Sequence, residues 1–224
     1  MQMNHKCGRA LLGLIASLVV FNSTSGLATE SKSMANSAML DTTKSKVTWF
    51  GKKPAATHSG TVNIMTGDLK IENGLVKAGT FELDMNSIDN QDLTGEWKTK
   101  LVGHLKSDEF FNVAKFPKAK FELTSVTQKT GDEYEFKGKL TIKDITNEIS
   151  FPGTIKNEKG VMKSQATIKI DRTLWGIKYN SAKFFDVNKL LDKVINDEVE
   201  FKLELVTTAP ADGKDSKGSK KSKG

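Results

Sequence analysis

The chain has 224 residues, 37% hydrophobic and 27% charged, which is globular chemistry and excludes a disordered polymer. Its single cysteine, Cys7, precedes an apolar run near the start, so the body of the chain has no thiol for a disulfide, a cysteine nucleophile or a thiolate metal site. The net charge of +7 belongs mostly to the ends: Lys6 and Arg9 supply two, and five lysines against two aspartates in residues 211–224 supply three, leaving +2 on residues 29–210.

The first 28 residues carry the three regions of a secretory signal peptide. Lys6 and Arg9 form the positive start, residues 10–21 ("ALLGLIASLVVF") the apolar run, and Gly26 and Ala28 the small residues before a cut. The run is short for a membrane span. The expectation is a periplasmic or otherwise exported protein, with cleavage near Ala28. Residues 29–40 read as a flexible linker, 41–208 as the folded domain, and 209–224 as a disordered Gly/Ser/Lys-rich tail. The tail's lysines make weak contact with a membrane surface a candidate second role, beside plain solubility. Nucleic acid is not a partner expected for an exported chain.

From Lys44 onward the apolar residues recur every second position. Strands are expected near 44–50, 58–66, 68–72, 75–85, 119–128, 133–143, 147–156 and 161–171, with a ninth at 197–207. "YEFKGKLTIK" (134–143) alternates without a slip, with Tyr134, Phe136, Gly138, Leu140 and Ile142 on one face. Strands with one wet and one dry face belong to an antiparallel sheet. Turn residues punctuate them: "TGD" at 66–68 and 130–132, "ENG" at 72–74 and "NEKG" at 157–160. The class is all-β, and such strands bury a common interior as a sandwich or a closed barrel; periodicity alone does not choose. Two segments break the pattern. Leu93, Trp97, Leu101 and Leu105, four apart, predict an amphipathic helix over 92–107, and 184–195 is a weaker helical candidate.

Catalytic chemistry is sparse. After the expected cut the histidines are His58 and His104, and no Gly-x-Ser-x-Gly elbow, metal-ligand spacing or glycine-rich phosphate loop accompanies them. No catalytic residue and no metal ligand is therefore assigned. What stands out is aromatic density in the second half of the chain. Aromatics fill cores, and they also line the lumen of a small barrel whose inward side chains leave space. Pattern alone leaves both readings open.

Three segments narrow the choice. "HLKSDEFFNVAKFPKAKFEL" (104–123), "YEFKGKLTIKDITNEISFP" (134–152) and "IDRTLWGIKYNS" (170–181), in that order, resemble the YceI-like family of bacterial polyisoprenoid-binding proteins from about Leu40 to Thr207. The resemblance implies a lipocalin-like eight-stranded antiparallel barrel with one or two inserted helices and a long apolar tunnel. It implies a non-catalytic carrier with no cofactor beyond its cargo, an isoprenoid quinone, a prenyl phosphate or a fatty-acid-like lipid. On that footing the expected apolar lining is Phe81, Leu83, Phe110, Phe111, Phe116, Phe121, Tyr134, Phe136, Leu140, Trp175, Phe184, Phe185 and Phe201. His104 and Arg172 are the expected polar groups at the mouth, Arg172 meeting a phosphate or carbonyl or else pairing with Asp171 to fix a turn. A homodimer is a candidate assembly. Two rivals stand beside the carrier: an enzyme on such a lipid using His104 and Asp108, and an envelope interaction protein with a solid core.

Overall fold

A computed structural model describes residues 35–54 and 56–208. The signal peptide expected at 1–28, the linker up to residue 34 and the tail from 209 lie outside the described residues. Nine strands make one antiparallel sheet: β1 (Ala35–Met39), β2 (Lys46–Lys53), β3 (Ala56–Glu72), β4 (Leu75–Asn90), β5 (Lys118–Gln128), β6 (Glu133–Ile142), β7 (Ile145–Glu158), β8 (Val161–Asp171) and β9 (Glu198–Val206). Helix α1 (Gly95–Lys106) follows β4, and a single turn, α2 (Val187–Leu190), lies between β8 and β9.

The sheet closes on itself. Its order runs β3-β2-β9-β8-β7-β6-β5-β4, and β4 pairs back onto β3. Eight strands thus form the expected barrel, and β1 is a ninth, added to the far half of β3 with Ala35 opposite Glu72 and Met39 opposite Asp68. Closure removes the unpaired edges an open sheet would present. Residues 35–39, expected inside a linker, therefore form a strand, although "ANSAM" has no alternation that marks it. The "TGD" at 66–68, expected as a turn, lies within β3. Thr66, Gly67 and Asp68 pair with Glu82, Phe81 and Thr80, and a register shift just before Thr66 absorbs the bend. Of the helix expected over 184–195, only Val187–Leu190 is α-helical.

The strands give the barrel two poles. β2 and β8 end, and β3 and β9 begin, at one pole, which also carries α1 and the 172–197 segment; we call it the upper pole. At the lower pole Leu40 bridges Thr207, and Thr208 donates its N–H to the Met39 carbonyl at 2.8 Å.

The interior is apolar but not filled, for a reason legible in two glycines. Gly138 and Gly153 share the inner face with aromatics: an added Cβ at Gly138 would strike the Phe121 ring and the Glu122 carbonyl, and one at Gly153 would strike the Gln165 carbonyl and Ala166 Cβ and press on the Phe136 ring. Each ring lies along the wall over its neighbour's missing side chain instead of crossing the lumen. The rings continue round the wall: Phe81 stacks on Phe121 at 6.1 Å between centroids, Phe121 meets Phe151 at 5.7 Å, and Phe151 stacks on Phe136 at 5.5 Å.

Candidate functional site

A cavity of about 470 Å³ occupies the barrel lumen, within the range of small-molecule sites. Leu40, Met162, Ile155 and Thr207 form its floor, the aromatic wall its middle, and Leu101, Leu105, Phe110 and Phe111 its roof. Leu40 is the plug. It packs on Gly67, whose lack of a Cβ admits it, and its N–H donates to the Gly67 carbonyl at 2.8 Å.

The ionisable side chains that line the cavity are Lys52, Lys53, His58, His104, Arg172 and Lys193, with Tyr179 the one phenol; no carboxylate joins them. All belong to the upper pole. Lys52 and Lys53 end β2, and the carbonyl of Lys52 accepts the N–H of Asn196 at 2.9 Å, which brings the 193–196 stretch alongside. Three carboxylates near this pole are engaged by other groups. Asp92 meets His58 Nδ1 at 2.8 Å, Glu109 meets His104 Nε2 at 2.8 Å, and Asp197 takes Arg172. Among the described residues Lys52, Lys53 and Lys193 form no ion pair.

Arg172 is 3% exposed and spends its donors on the backbone. Nε donates to Asn196 O at 3.0 Å, Nη1 to Ile177 O at 2.9 Å, and Nη2 to Ile195 O at 2.9 Å and to Asp197 Oδ1 at 3.3 Å. Burial pulls its guanidinium below the usual value, and Asp197 and Asp171 oppose that pull. Its acidic partner is Asp197, not Asp171. Asp171 instead accepts from the N–H and hydroxyl of Thr173, at 2.9 and 2.6 Å, and pairs with Lys183. Burial raises the Asp171 carboxyl, but the bonds from Lys183 and Thr173 outweigh it and hold the group below its ordinary value.

His104 stands edge-on to Tyr179 at 4.5 Å and to Phe110 at 4.8 Å between ring centroids. Its carboxylate partner is Glu109, so the His104–Asp108 pair of the enzyme reading does not form. Among the described residues no three His, Asp or Glu side chains cluster as metal ligands.

Of the apolar positions singled out in the sequence, Phe81, Leu83, Phe110, Phe111, Phe121, Phe136, Leu140 and Phe201 line the cavity, with His104 and Arg172. Five do not. Phe116 is half-buried in the loop before β5. Tyr134 shares Phe136's parity but, in the second residue of β6, packs beside the Phe136 ring at 6.3 Å between centroids and does not reach the cavity. Trp175, 1% exposed, lies on a 3-10 turn outside the wall and donates Nε1–H to the Leu140 carbonyl at 3.0 Å. Phe184 and Phe185 are exposed on the 172–197 segment. Sequence reasoning passed over Trp49, Tyr179 and the three mouth lysines. Trp49 was readable, since Val47 and Trp49 alternate in β2; the lysines carried no signal, since they follow no period.

A family model for the YceI-like domain matches residues 39–207. Protein YceI of Salmonella arizonae is 44% identical over 55 residues, 25% of this chain and 28% of that relative, so the aligned stretch spans under a third of the curated relative's length. Among solved structures, BcnA of Burkholderia cenocepacia superposes with a TM-score of 0.63 at 21% identity, covering 75% of this chain and 99% of that one. A polyisoprenoid binding domain from Saccharophagus degradans, implicated in plant cell wall breakdown, superposes with a TM-score of 0.57 at 15% identity, covering 77% and 98%. At these identities the two structures speak for the fold.

Proposed function

The chain belongs to the YceI-like family, and from that premise we propose that it is an exported, non-catalytic carrier of one long-chain amphiphile, an isoprenoid or a lipid of similar shape. The observation that carries this reading is the apolar lumen whose ionisable groups all gather at one end. An amphiphile has the same polarity along its length. The description of the Saccharophagus degradans domain as polyisoprenoid-binding supports the isoprenoid class.

The dimensions suit a single chain. Lining residues on the β8 side run from Met162 to Arg172, roughly 33 Å of chain at strand rise and about 25 Å of depth at a usual barrel tilt. An extended carbon chain advances roughly 1.2 Å per bond, so about twenty chain atoms reach the floor. Each methylene removed from water contributes about 0.8 kcal/mol before the ordering cost, so the tail alone gives tight binding. The head then lies at the mouth among Lys52, Lys53 and Lys193, which suits a phosphate, a carboxylate or a quinone carbonyl.

His58 and His104 are each held by a carboxylate, and Arg172 is held by backbone carbonyls. Export and a periplasmic location rest on the signal-like first 28 residues. A solid-core interaction protein would not hold the cavity. The test is native mass spectrometry of protein purified from its own envelope without detergent, followed by solvent extraction. The carrier reading expects a stoichiometric long-chain amphiphile. Empty protein that also refuses added quinone, prenyl phosphate and fatty acid would overturn it.

A further inference from the structure

The segment that overhangs the mouth exposes what soluble proteins bury. Half of the exposed large apolar side chains among the described residues fall between 174 and 191: Leu174, Phe184, Phe185, Val187 and Leu191, the last 71% exposed. Two half-exposed phenylalanines beside a valine and a largely exposed leucine mark an interaction site.

This presentation is built. Arg172 grips the base of the segment from both sides, through Ile177 O and Ile195 O. Ser181 is fully buried; its carbonyl accepts the N–H groups of Phe184 and Phe185 at 3.1 and 3.0 Å, and its hydroxyl accepts that of Lys183 at 3.2 Å. The Asp186 carboxylate caps α2 by accepting the Asn188 N–H at 2.9 Å. The base is pinned and the apolar tip points outward.

The charges beside the tip choose its partner. Lys183 is taken up by Asp171 and Asp197 at the base, which leaves Lys178, Lys189 and Lys193 beside the tip against Asp186 and Asp192, and Lys178 Nζ lies 4.5 Å over the Phe184 ring. Phenylalanine and leucine flanked by lysine is the composition that sits in the headgroup layer of an anionic bilayer. A two-fold contact with a second copy would instead set lysine against lysine. The same segment lines the mouth through Tyr179, Asn180, Lys193 and Ile195. We propose that residues 174–193 dock the mouth of the cavity on an anionic membrane surface, so that a chain passes between bilayer and barrel without crossing water. The direction of that transfer rests on the carrier reading; the docking itself does not.

The test is flotation of the full chain with vesicles of phosphatidylcholine alone or with about 30 mol % phosphatidylglycerol, at about 0.1 M salt. The expected result is binding roughly tenfold stronger to the anionic vesicles. The triple substitution Phe184→Ser, Phe185→Ser and Leu191→Ser removes it, while deletion of residues 211–224 leaves most of it. All three side chains are exposed, so the variant keeps its melting temperature and its affinity for a fluorescent fatty acid in the cavity. No binding to either vesicle, binding that survives the triple substitution, or binding that disappears with residues 211–224 alone would overturn the proposal. So would a dimer that the triple substitution dissociates without any vesicle binding. A protein that floats yet refuses quinone, prenyl phosphate and fatty acid alike would sink the carrier reading and leave docking standing.

Discussion

The guanidinium of Arg172 donates to the Ile177 carbonyl at 2.9 Å from a position 3% exposed, and so ties the turn that follows β8 to the return strand-end at Ile195 and Asn196. Position 172 is thus a clasp first. Arg172→Lys keeps the charge but not the planar fork, and Arg172→Met strands three carbonyls and leaves Asp197 with Lys183 alone, at 3.8 Å. Each is expected to cost about 3 kcal/mol in urea unfolding, the usual result of removing one partner from a buried charged network. If Arg172 served mainly a ligand head, affinity would fall and the unfolding midpoint would stay.

A second expectation concerns acid. Burial raises the Asp92 carboxyl, but the Ser59 N–H at 2.6 Å, His58 and Asn90 outweigh it and hold the group below its ordinary value. Asp89 is lowered by its bond from Lys98, against burial, and Asp41 is held at about 2 chiefly by Lys44. A carboxyl whose folded pKa lies below its unfolded value of about 3.9 stabilises the fold above that value. The contribution fades as pH falls below about 4. Urea midpoints measured from about pH 6 down to about 2 should drop in the lower half, and Asp92→Asn should flatten the drop. A midpoint that rises in acid would contradict the assignment.

The floor sets a length limit. Leu40→Ala removes the plug over Gly67 and should lower stability by about 2–4 kcal/mol, as a buried leucine usually does. It should also move the best-bound chain in a series of saturated fatty acids to greater length by a few carbons. An unmoved optimum would place the length limit elsewhere.

The mouth lysines bear on the head. Palmitate and hexadecyl phosphate should bind about tenfold more tightly than hexadecanol, the scale of three partly exposed ion contacts, and added salt should narrow the gap. Lys52→Gln, Lys53→Gln and Lys193→Gln together should close it without changing the affinity for hexadecanol. Isothermal titration with the three ligands decides; equal affinities in the unsubstituted chain would remove the lysines from the site.

Much of this is legible in the sequence. Strict alternation in 134–143 and 197–207 gave strands because a barrel wall has one dry face, and Phe136, Leu140 and Phe201 accordingly point into the lumen. Alternation assigns a side chain to the inner face but not to the open space, so Tyr134 and Phe136 look alike although only Phe136 borders the cavity. Nor does alternation reach beyond the strands: Trp175, Phe184 and Phe185 lie on turns, where burial follows the backbone path instead of parity. The "TGD" at 66–68 read as a turn because local propensity favours one, and pairing with β4 overrides it. The length of β3 depends on a partner distant in sequence.

The described chain enters at Ala35 and leaves at Thr208, both at the pole opposite the mouth. The barrel can therefore be treated as a cup with its handle underneath. A fluorescent protein, a bead or a surface joined at either end holds the cup upright, with its opening free for cargo. A label placed instead between Phe184 and Leu191 sits on the lip. One molecule thus accepts a support and a reporter at opposite poles, an arrangement suited to watching single chains load and leave.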